Sequence, residues 1–239
     1  SPISAIDDVT PTAFEEANAL LGSIDDVNGM DGTYGIRVTM ADVLGSGFKV
    51  DAMYTTDVGS GDAQSDNGTS GELGGTSGDG TEIAITGSVP MVEGLDVGAG
   101  YFTQGTESDG QAIKTGNFQQ DEGTAYIKYS TGPVSVGYQR GVVSIDTATT
   151  TAGSNYNETY DNEMIGISYK ISDDLSVSYN ELESRKSQRG TDVDQEFDSI
   201  SVSYSMGGMT IGIADADVSN SGYTTGTVSY THLTLPTNR

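Results

Sequence analysis

From residue 33 onward, apolar residues fall on every second position. Tyr34, Ile36, Val38 and Met40 share one parity, and Gly35, Arg37, Thr39 and Ala41 the other. The same rhythm returns in Phe48, Val50, Ala52, Tyr54; in Ile83, Ile85, Val89; in Leu95, Val97, Ala99, Tyr101; in Ala125, Ile127, Tyr129; and in Val134, Val136, Tyr138. It continues in Ile165, Ile167, Tyr169; Leu175, Val177, Tyr179; Ile200, Val202, Tyr204; and Met209, Ile211, Ile213. A period of two is that of a strand with one apolar face, so these sets predict strands of about ten residues each. Residues 1–31 do not alternate. Within them TPTAFEEANALLGSI reads as a short helix, with Thr10 or Thr12 as its cap, Glu15 and Glu16 at its positive end and Gly22 as its stop.

The connections are of two kinds. Short turns rich in Gly, Pro and Asp are predicted at 43–47, 90–94, 131–133, 172–174 and 207–208. Long polar connections are predicted between them, at about 57–80, 104–121, 145–160 and 186–196. Short turns at one end and long loops at the other describe an antiparallel meander with two unlike ends, the layout of an outer-membrane barrel. A soluble sandwich also alternates, and three features favour the barrel. The strands approach the ~9–11 residues that a tilted strand needs to cross a bilayer. Tyr129, Tyr169 and Tyr204 sit on the apolar parity just before short turns, as an interfacial girdle requires. Arg37, Lys49, Asp51, Glu82, Lys128 and Lys170 fall on the polar parity among small hydroxylated residues such as Ser176, Ser178, Ser199, Ser201 and Ser203, so that face reads as a wet lumen. Arg140 has the opposite parity and is placed near the upper rim.

Charge removes other functions. The 239 residues carry 35 Asp and Glu against 10 Lys and Arg, a net charge of −25 that excludes unaided binding of nucleic acid. Seven of the acids lie in residues 1–31, which hold no base. There is no Cys and a single His, His232, which leaves no thiolate chemistry and little room for a His-based metal site or general base. The acids show no supporting pattern for a glycosidase, and the loop at 62–80 lacks calcium-repeat spacing. Neither a catalytic group nor a cofactor is expected. The chain begins Ser-Pro-Ile-Ser with no initiator Met, which reads as processing or truncation.

The hairpins DEGTAYIKYSTGPVSVGYQRG, NEMIGISYKISDDLSVSYNE and FDSISVSYSMGGMTIGIADA show the x-Tyr-x-turn-apolar-x-apolar rhythm of porin strands. Over about residues 1–230 the chain resembles a Gram-negative general porin of the marine alphaproteobacterial type. The resemblance implies an all-β fold: an antiparallel meander forming a partial transmembrane β-barrel, about eleven strands of sixteen, with five N-terminal strands missing. It implies a homotrimer in the cell outer membrane, in contact with lipid and lipopolysaccharide, that passes small hydrophilic solutes and ions by passive diffusion. It also implies that residues 1–31 are the constriction loop, 32–230 the barrel with its external loops, and 231–239, THLTLPTNR, a non-native tail. By position, Glu15, Glu16, Asp25 and Asp26, flanked by Asp7 and Asp8, are the loop acids. They face inward wall residues Arg37, Lys49, Lys128 and Lys170, with Asp51 and Glu82 also lining the pore. The alternative is a secreted acidic β-rich adhesin or surface-layer protein binding calcium or glycans. The two differ at Ile127, Val136, Ile167, Val177, Val202 and Ile211, exposed as a belt in a porin and buried under a second layer in an adhesin.

Overall fold

The structure, a computed structural model, describes residues 1–13, 24, 26–30, 34–56, 79–106, 118–147, 156–188, 191–206 and 209–234. Its strands are β1 (Ile36–Met40), β2 (Phe48–Thr55), β3 (Gly80–Ser88), β4 (Leu95–Thr106), β5 (Phe118–Thr131), β6 (Val134–Thr147), β7 (Tyr156–Lys170), β8 (Leu175–Gln188), β9 (Thr191–Met206), β10 (Met209–Ser219) and β11 (Thr227–Thr234). They form one eleven-stranded sheet in sequence order. Each neighbouring pair is antiparallel. The fold is the expected all-β meander, and the sheet is not closed: β1 and β11 are its edges.

Several strands run further than the alternation indicates. β9 has 16 residues and β7 has 15, against the ten or so expected. The predicted loop at 186–196 is strand on both sides of residues 189–190, and strand residues also enter the expected loops at 104–121 and 145–160. β11 extends to Thr234, past the expected boundary at 230, with Thr231 opposite Asp215 and Thr234 opposite Gly212. The loop interiors at 57–78, 107–117 and 148–155, the turn at 207–208 and most of the predicted helix lie outside the described residues. Of the N-terminal segment's described part, Ser4–Ile6 is a 3₁₀ turn.

The physical reason for the extra length is an inversion of sidedness within single strands. In β8 the outward positions read Leu175, Val177, Tyr179 and then Glu181, Glu183, Arg185, while the inward positions read Ser176, Ser178, Asn180 and then Leu182, Ser184, Lys186. β9 changes in the same way: outward Tyr204, Val202 and Ile200 give way to Asp198 and Glu196, and inward Ser203, Ser201 and Ser199 to the buried Phe197. The period of two persists through the change while the apolar parity switches, so a search for one continuous apolar face stops at the switch. The sheet is thus apolar outside and polar inside toward its short turns, whereas toward the long connections it is charged outside and buries Phe102, Val143, Leu182 and Phe197 inside beside Glu82, Glu122, Asn162 and Gln195.

The lower outward face is a belt. Ile127 (47 % exposed), Val136 (42 %) and Ile167 (44 %) stand open, and Tyr129, Tyr169 and Tyr204 are exposed beside them near the short turns. Val177, Val202 and Ile211 are half-buried. Among the described residues no second sheet covers these positions, since all the strands belong to one layer. The sandwich expected of an adhesin is therefore absent among the described residues, and lipid is the solvent that such a belt fits. Placing a charge on it is costly: Ile167→Lys should destabilise the protein by about 2–4 kcal/mol in urea titrations from lipid vesicles, with inward Ser168→Lys costing much less.

Candidate functional site

A segment laid across the inside of a sheet has no strand neighbour to accept its backbone N–H groups, and each one buried without an acceptor is costly. Two inward carboxylates meet this need. Glu82 on β3 and Glu122 on β5 are 0 % and 1 % exposed and lie against Ser1, Ile3 and Asn28–Met30. Glu82 accepts hydrogen bonds from the Ser1 hydroxyl (2.6 Å), the Ile3 N–H and the Met30 N–H (3.2 Å). One carboxylate thereby ties both ends of the segment. Glu122 Oε2 accepts the successive N–H groups of Asn28 (2.6 Å) and Gly29 (2.7 Å), and its Oε1 takes the Gln120 amide (2.6 Å). Gly29 is left-handed at φ 58°, which lets neighbouring amides converge on one anion.

Between these ends the segment descends toward the short turns. Gln139 Oε1 accepts the Val9 N–H (2.9 Å), while its Nε2 donates to the carbonyls of Ile6 (2.8 Å) and Asp7 (2.5 Å). Ser178 Oγ accepts the Ala13 N–H (2.8 Å), and Asn180 donates to the Pro11 carbonyl (3.3 Å). The wall makes room with Gly137 and Gly166, where a Cβ would come within 2.6 and 3.1 Å of the Pro11 ring. Apolar contacts complete the seat. Ile3, Val27 and Met30 join Met53, Phe102, Val143, Ile145 and Tyr160 in one buried cluster, and Ile24 joins Met164, Leu182, Phe197, Ala216 and Val218 in another. Burial of each large apolar side chain contributes about 1.5–3 kcal/mol.

Asp26 lies in the segment, 5 % exposed. Its Oδ1 accepts the Val27 N–H (2.7 Å) and the Asn162 amide (3.1 Å), Gly141 leaves the space it occupies, and its Oδ2 has no hydrogen-bond partner. Burial, reinforced by Asp7 and Asp8, pushes its pKa up to about 8. The seated segment therefore keeps a proton that a free segment releases near pH 4, and seating loses stability as pH rises through that interval.

The other expected site residues occupy several settings. Asp51 is buried between Arg37 (3.0 Å) and Lys49 (2.9 Å) and also accepts the Thr39 hydroxyl. This leaves one net positive charge on the inward face of β1 and β2, with both cations half-exposed. Lys128 is half-buried opposite Asp96 and forms no ion pair among the described residues. Lys170 pairs with Asp173 (3.2 Å) and borders a groove of about 270 Å³ lined by Thr12, Ser135, Ser168, Ser176 and Ser203. Arg140 is outward and bound to Asp161 (2.6 Å). Glu82 is inward but covered, an anchor for backbone. Glu15, Glu16 and Asp25 lie outside the described residues. Sequence reasoning missed Glu122, Gln139, Asn162 and Asn180, although all four carry the same inward parity as Glu82. Among the described residues no group of three or more Asp, Glu or His is arranged to hold a metal ion.

The pattern of the Gram-negative porin family matches residues 3–228, and the chain belongs to that family. Its members are non-enzymatic diffusion channels of the outer membrane, which accounts for the outward belt and the polar inner wall. No match is found among curated proteins.

The buried carboxyl makes a pH prediction. Stability of the folded protein should fall between about pH 4 and about pH 8 through the raised pKa of Asp26. Asp26→Asn should keep the segment seated and flatten this part of the curve, and thermal unfolding across that range checks it.

Proposed function

We propose that residues 1–31 are the constriction of a water-filled channel and that Arg37 and Lys49 form the basic wall opposite its acids. The observation that carries this reading is the seating of the segment on the inward side of the sheet by Glu82 and Glu122. Lys49, Thr86, Gly98, Tyr126 and Gln139 lie in one cross-strand row, so four strand spacings, ~19 Å, separate Lys49 from the Gln139 that holds Asp7. Acids at 7, 8, 15, 16 and 25 and bases at 37 and 49 then set a field across the lumen, which orients dipolar solutes and weights cations against anions. Asp26, neutral near pH 7, adds no charge to that field. Lys128 and Lys170 act lower, toward the short turns, where Asp96 and Asp173 offset them.

Solutes are small and hydrophilic in this reading, and the assembled protein is a homotrimer of sixteen-stranded barrels. The open edges at β1 and β11 support the larger strand number, because within a bilayer unpaired backbone groups are satisfied only by another strand. The belt faces lipid, and the charged outward band above it, with Glu163, Glu181, Glu183, Glu196 and Asp198, stands at the level of lipopolysaccharide.

Reversal potential in a salt gradient across a planar bilayer tests the wall. Arg37→Glu and Lys49→Glu should each shift the cation-to-anion permeability ratio toward cations by a factor of about two or more. An unchanged ratio in both would remove the pair from the pore wall.

A further inference from the structure

The connection between β10 and β11 also turns inward. Asn220 and Tyr223 are left-handed, at φ 55° and 56°, a conformation that side-chain-bearing residues seldom adopt without compensation from their surroundings. Tyr223 supplies that compensation. Its ring packs against the cluster containing Ile3, Val27 and Met30 and meets Tyr160 at 5.3 Å between centroids. Lys186 Nζ lies 5.1 Å from the Tyr160 ring and 5.8 Å from that of Tyr223, and pairs with Glu158 at 3.1 Å. Cation–π attraction therefore bears on both rings. The Tyr223 N–H donates to Gln195 (3.4 Å), and Asn220 donates to the Asp194 carbonyl (2.8 Å).

The Tyr223 hydroxyl begins a directed chain. It lies 2.7 Å from Ser184 Oγ. Ser184 Oγ donates to Asn162 Oδ1 (2.5 Å), and Asn162 Nδ2 donates to Asp26 Oδ1 (3.1 Å). A serine hydroxyl has one proton, so the Tyr223 O–H is the donor to Ser184, and all the donors point toward the inward segment. Ser184 and Asn162 are direct cross-strand partners, which fixes the middle of the chain on the wall itself.

We propose that the β10–β11 connection is a latch: Tyr223, acting through Ser184 and Asn162, holds the inward segment at Asp26 and couples the channel mouth to the constriction. Tyr223 and Ser184 are positioning residues in this account. The proposal rests on the constriction reading for its effect on transport, and on geometry alone for the coupling.

Because the protein contains no cysteine, Val27→Cys provides a single reporter beside Asp26. Its modification rate by a water-soluble maleimide, in protein reconstituted into lipid vesicles, reads release of the segment. Tyr223→Phe keeps the ring and the cation–π contacts and removes only the hydroxyl. It should speed labelling about three- to tenfold, as should Ser184→Ala, and the two together should do no more than either alone, because they interrupt one chain. Unchanged labelling in Tyr223→Phe, or effects that multiply in the double variant, would overturn the latch. Conductance of the same variants and of Glu82→Ala separates the two readings. Faster labelling with unaltered current leaves the latch standing and removes the constriction, whereas a current altered by Glu82→Ala with labelling unmoved by Tyr223→Phe removes the latch alone.

Discussion

A backbone that crosses the inside of a β-sheet must find acceptors for its N–H groups away from water, and in this protein Glu82 and Glu122 provide them. Five donors converge on the two side chains from Ser1, Ile3, Asn28, Gly29 and Met30. A carboxyl group offers two oxygens to converging donors, and its burial is tolerable only because those oxygens are occupied. The dependence is mutual: the carboxylates need the segment's amides as much as the segment needs the carboxylates. Gln139, Ser178 and Asn180 continue the attachment toward the short turns, and Gly137 and Gly166 bring the backbone close enough for it.

Seating the segment divides the sheet into two halves with opposite rules. Near the short turns the inner face is hydroxylated and the outer face apolar, the arrangement of water inside and lipid outside. Toward the long connections the outer face carries Glu181, Glu183, Glu196 and Asp198, and the inner face carries Val143, Leu182 and Phe197 packed beneath Ile24, Val27 and Met30. That upper half follows the packing of a soluble protein, with apolar side chains buried between the segment and the sheet. The inward charges follow the same economy. Lys186 is matched by Glu158 and Lys170 by Asp173, whereas Arg37 and Lys49 share the single carboxylate of Asp51 and keep one charge in excess.

Much of this was legible in the sequence, because period-two alternation is local and a strand's sidedness follows directly from it. The parity of Ile127, Val136 and Ile167 identified the outward face, and that of Glu82 and Lys49 the inward one. The region 186–196 reads as a loop because it is polar, with Val193 its one apolar residue, and because the apolar parity switches beside it at Leu182 and Phe197, a switch that depends on a distant segment covering the inner face. Glu122 and Gln139 carried the inward parity but stood among ordinary polar residues, and only their encounter with backbone some 90 to 130 positions away gives them a role. Tyr223 sits in a short polar connection with no periodicity. Its significance comes from a left-handed backbone and a hydrogen-bond chain across β7 and β8, neither of which a one-dimensional pattern records.

The most direct test of this account is hydrogen exchange at the amides of Ile3, Asn28, Gly29 and Met30 in the bilayer-reconstituted protein. The account predicts slow exchange at all four in the wild type, with Glu122→Ala releasing Asn28 and Gly29 first and Glu82→Ala releasing Ile3 and Met30 first. Exchange at the rate of an unstructured loop in the wild type, or protection indifferent to both substitutions, would contradict it.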